Sequence, residues 1–117
     1  MPDNFQAVFE RLKAILEPYA PNLLVRVDDA ANYSLDTPYV EKFKKEVFFG
    51  AVQVKKNYVS FHLMLVYIFP DLLNGSSAAL KKRMQGKSCF NFTSINEELM
   101  AELEDLTRRG VERFRQV

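Results

Sequence analysis

Residues 58–69 read YVSFHLMLVYIF, and the reading of this stretch decides the fold class. As a strand with a period of two, it places Val59, Phe61, Leu63, Leu65, Tyr67 and Phe69 on one face. Ser60, His62, Met64, Val66 and Ile68 then share the other. The first face is apolar throughout. The second begins polar and turns apolar after His62, as expected of a face open at one end and covered at the other. Such cover comes from a helix on each side of the sheet, or from a helix and a partner, a second copy in a homodimer included.

The neighbouring segments supply the rest of the sheet. Residues 47–55 are rich in β-branched and aromatic side chains and read as a strand. Gly50 inside it marks a bulge or a close approach of backbone. Lys56-Asn57 fits a two-residue hairpin turn, because Asn tolerates positive φ. Farther upstream, residues 23–27 are β-prone, 28–32 resemble a turn, and Tyr33-Ser34-Leu35 resumes a strand before Pro38. Cys89 to Phe92 gives a short strand after the Gln85-Gly86 break.

Helices flank this sheet. Phe5, Val8, Phe9, Leu12, Ile15 and Leu16 recur at helical spacing, with Asp3 or Asn4 as cap. Pro18 pushes Glu17 out of helical dihedrals, and Pro21 reinforces the stop. A short helix is expected over residues 77–84. Ser94 to Glu97 has capping-box spacing, which predicts a last helix with Leu99, Leu103, Leu106, Gly110 and Phe114 on its inner face. Its acids lie near its start and its arginines near its end, the order that suits the helix dipole. The expectation is one α+β domain over 1–117: an antiparallel sheet of four to five strands packed with an N-terminal and a C-terminal helix.

Composition narrows the functional classes. The chain has 117 residues, 48% of them apolar, enough for roughly two-thirds of its extended surface to be buried on folding. One cysteine excludes an internal disulfide framework and leaves too few thiols for a structural zinc site. Sixteen basic against fifteen acidic residues give a net charge of +1, which provides little whole-chain attraction to nucleic acid or an anionic membrane. The longest apolar run, Leu63 to Phe69, is seven residues, far short of the ~20 that span a bilayer. No basic segment with an apolar stretch opens the chain, so a cytoplasmic location is the expectation.

Few residues carry candidate chemistry. His62 is the single histidine, on a strand with Ser60, and a pocket near Tyr33, Ser60 and His62 is the best ligand-binding candidate. Cys89 with His62 would form a nucleophile pair only if a cation or helix terminus lowered the thiol pKa, so a small apolar role fits it better. Asp28, Asp29, Asp36 and Glu41 could hold a hard cation if they clustered, but adjacent turn aspartates are usually solvated. Two basic groups, Lys81-Lys82-Arg83 with Lys87 and the four arginines between 108 and 115, could track phosphates if they met in space. No phosphate-binding glycine loop, nucleophile elbow or zinc-binding helix motif is present, and no catalytic or metal-ligating residue is assigned.

Four segments, Tyr33-Ser34-Leu35 with Pro38, Phe49-Gly50-Ala51-Val52, Val59 to Leu63, and Gly86-Lys87-Ser88 with Phe90-Asn91-Phe92, occur in an order that resembles YdhG-like domains. The resemblance covers roughly residues 20 to 115 and implies helices on an antiparallel sheet. The family is largely of unknown function, and some relatives are described as frataxin-like iron chaperones. Iron is therefore a cofactor implied by resemblance alone; the residues themselves call for none. The expectation is a small domain that binds a small molecule or a protein without catalysis of its own. Iron handling, or an enzyme using a pocket around His62, are the alternatives.

Overall fold

The computed structural model describes residues 4–117. Helix α1, Phe5–Leu16, begins where the Asn4 side chain accepts from the Ala7 N–H at 3.0 Å; the other expected cap, Asp3, lies outside the described residues. Its apolar stripe, Val8, Phe9, Leu12, Ile15 and Leu16, is buried as the spacing requires. The chain does not become extended before Pro18. Glu17 keeps helical dihedrals and opens a 3₁₀ segment, Glu17–Asn22, with Pro18 in its first turn, where a missing N–H costs nothing. Extended backbone starts at Leu23.

Among the described residues the sheet has six strands: β1 Leu24–Asp28, β2 Asn32–Val40, β3 Lys45–Val54, β4 Val59–Leu63, β5 Met84–Gln85 and β6 Cys89–Phe92. Their spatial order is β1-β2-β3-β4-β6-β5, every pair antiparallel. The strand absent from the sequence expectation is β5, two residues long and paired across the Gly86 turn. β2 also runs through Pro38 at an irregularity in its pairing with β3, and there the Thr37 hydroxyl accepts from the Val47 N–H at 3.0 Å. The β3–β4 turn closes with the Lys55 N–H on the Tyr58 carbonyl at 2.8 Å. It does so without positive φ at Asn57; among the described non-glycine residues that conformation belongs to Lys44.

The largest departure from expectation falls in residues 58–69. The strand ends at Leu63, and Met64–Ile68 forms a short helix, α2. Consecutive Leu65 and Val66 are both buried while Tyr67 is 55% exposed, a pattern no period-two strand produces. Leu65 packs so close to Gly110 that a Cβ there would lie 3.0 Å from it. Of the apolar second face expected after His62, Val66 is buried in the core, while Met64 and Ile68 are half-buried.

A second 3₁₀ segment, Pro70–Leu73, leads to α3, Ala78–Lys81, capped by Ser77, and then to α4, Glu97–Phe114. The cap of α4 is Asn96, not Ser94: its Oδ1 accepts from Glu98 and Leu99 N–H groups at 3.0 and 3.2 Å. Leu99, Met100, Leu103, Leu106 and Val111 of α4 join α1 and the inner sheet residues Leu35, Val52, Phe61, Leu63, Phe90 and Phe92 in one core. Arg11 of α1 bonds Glu97 and Glu104 of α4 across the helix pair. Among the described residues, no helix is long and apolar enough to cross a membrane.

Candidate functional site

The register separates the two faces of the sheet. Tyr33, Val52, Phe61 and Phe90 lie abreast on β2, β3, β4 and β6 and belong to the core side. Abreast on the other side are Ser34, Ala51, His62 and Cys89, with Asn32, Gln53, Ser60 and Asn91 forming the next row. This second side carries a trough of about 280 Å³ whose lining includes Ser34, Gln53, Ser60, His62, Cys89 and Asn91.

Ser60 and His62 therefore share a site, as their spacing requires, and Tyr33 does not. Tyr33 is 3% exposed on the core side, its ring under the Lys13 ammonium at 4.9 Å. The sequence places Tyr33 near His62 along the pairing direction, but pairing residue for residue with Val52 turns its ring to the opposite face. Ser34, its neighbour, is the β2 residue that lines the trough.

His62 is held from two directions. Its Nε2 and the Ser88 Oγ share a hydrogen bond of 2.7 Å. The Phe48 ring meets the imidazole edge to face, with centroids 4.9 Å apart. Burial pushes the His62 pKa below its ordinary value near 6.5, so the imidazole is neutral at pH 7. Ser88 is buried, and its carbonyl accepts from the Leu63 N–H at 2.9 Å, which ties the β5–β6 turn to the end of β4.

Gly50 makes this packing possible. Pairing with β2 jumps from Leu35–Gly50 to Asp36–Phe48, so Phe49 is the extra residue of a bulge. The bulge turns Phe48 to the trough and Phe49 into the core. A Cβ at Gly50 would stand 2.8 Å from the His62 carbonyl oxygen, inside contact distance. Both readings of this glycine, bulge and close approach, apply.

The chemistry that the lining offers most plainly is hydrogen bonding. Cys89 lies across from His62, but burial raises its pKa, the reverse of what thiolate catalysis needs. The buried Ser88 hydroxyl is occupied by His62, and among the described residues no other side chain hydrogen-bonds to the imidazole. The side-chain amides of Asn91 and Gln53 offer donors and acceptors, linked to Gln85 at 3.2 Å and Asn32 at 3.4 Å. Lys55 is the charged residue of the lining.

The other candidates disperse. Asp28 pairs with Lys13 and Asp36 with Arg26, while Asp29 accepts from the Ala31 N–H. Among the described residues, no three His, Cys, Asp or Glu side chains come together as a metal-binding group. On α4, Arg108 and Arg109 pair with Asp105, and Arg113 with Asp71, so three of the four arginines are already matched.

Phe48, Gln53, Ser88 and Asn91 complete the site and were not singled out from sequence. Ser88 and Asn91 fall in a quoted motif, yet only the β4–β6 register shows that they face His62 and Ser60. Compared with protein-family models, curated proteins and solved structures, the chain matches none.

Proposed function

We propose that this chain is a small ligand-binding domain that uses the trough on the helix-free side of its sheet to hold an uncharged polar molecule. The observation that carries the reading is a concave polar surface drawn from β2, β3, β4 and β6 around a neutral histidine with its own support. Donors and acceptors are both present, and among the described residues of the lining only Lys55 is charged, which favours a ligand that exchanges hydrogen bonds over one held by ion pairs. The segments that resemble YdhG-like domains converge here: Ser34, Ala51, Ser60 with His62, and Ser88 with Asn91 each come from one of them. That convergence supports reading the chain as a binding module.

Thermal-shift screening of neutral polar fragments tests the proposal, with Asn91→Leu and Gln53→Leu as partners to the wild type. Fragments that stabilise the wild type and lose most of that effect in both variants are expected. Stabilisation that is identical in all three proteins would place binding elsewhere and overturn the assignment.

A further inference from the structure

A second cavity, of about 310 Å³, opens on the opposite side of the sheet, where the 3₁₀ segment after α1 meets the ends of β2 and α4. Its volume sits at the lower end of the range of ~300–1,000 Å³ typical of small-ligand sites. Rings form its walls: Tyr19 and Phe49 with centroids 6.3 Å apart, and Phe114, itself stacked on Phe43 at 6.3 Å. Leu23 and Val111 also line it.

One cation stands among the residues lining this apolar slot. Arg108, Arg109 and Arg113 of α4 have carboxylate partners, whereas Arg115, which lines the cavity, has none among the described residues. A guanidinium beside an aromatic slot suits an acid that bears an aromatic ring, with the ring between aromatic walls and the carboxylate on the fork.

We infer that this cavity is a binding site for a small aromatic monocarboxylate, with Arg115 as its anion contact. It is separate from the His62 trough: it lies on the helix side of the sheet and shares no lining residue with it.

The test is an amide-resolved NMR titration of the intact chain with 3-phenylpropionate, its neutral amide and acetate, repeated on Arg115→Gln. Arg115 is exposed at the end of α4, so this variant keeps the fold. The acid should give saturable shifts at Leu23, Val40, Phe49 and Phe114, and acetate should give none there. Arg115→Gln should weaken binding of the acid by about fivefold while leaving the amide unchanged. No saturable shift by ~10 mM acid, shifts confined to the His62 side, or equal affinity in wild type and variant would each overturn the inference.

Discussion

His62 is half-buried and neutral, and its contacts have a consequence for pH. Burial lowers its folded-state pKa, whereas the unfolded chain takes up the proton near 6.5. Below that value the unfolded state binds more protons, so the contribution of this group to stability is complete above pH ~7 and declines as pH falls through 6.5. Asp71, Glu97 and Asp105 have values depressed by their arginine partners, and their contributions are lost only at lower pH. Urea midpoints at pH 7.5 and 5.5 should therefore fall for the wild type. His62→Gln, which retains a hydrogen-bonding group toward Ser88 and does not titrate, should show a clearly smaller fall. An equal fall in both proteins would remove His62 as the source.

At the scale of elements, the bulge at Phe49 is what builds the site, because it brings Phe48 beside the imidazole. Gly50→Ala should cost about 1–3 kcal/mol in denaturant unfolding, since the added methyl must displace the β4 backbone at the His62 carbonyl. An unchanged midpoint would show that the two strands part without penalty. Much of this layout was legible in the sequence. The stripes of α1 and α4, the strand over 47–55 and the shared face of Ser60 and His62 follow from periodicity, which survives folding because each element buries one side. The breaks were not legible. Alternation cannot distinguish Leu63-Met64-Leu65-Val66 as strand from the same residues as a buried helical turn, because apolar side chains on every position satisfy both periods. Tyr33 was misplaced because the face on which a strand residue lies depends on pairing with β3. Ser88 was missed because its contact with His62 joins residues 26 apart across β4 and β6.

The whole molecule is packed on one side. Helix α1 packs on β3 and β4, α4 packs on α1 and α2, and Leu12, Leu16, Met100 and Leu103 share one core with Phe61 and Phe90, while the opposite face carries the polar trough. Opposite charges pair between elements: α1 is joined to α4 through Arg11, and α4 to the 3₁₀ segment at 70–73 through Arg113 and Asp71. Exposed pairs of this kind contribute little each, so the buried apolar layer carries the stability and leaves the outer face free to specialise. The most direct measurement of that specialisation is an amide shift map recorded with the neutral polar fragment that stabilises the protein most. The account predicts perturbations clustered at Ser34, Gln53, Ser60, His62, Cys89 and Asn91, with α1 and α4 silent. Perturbations that avoid those strand residues and fall on the helices would contradict it.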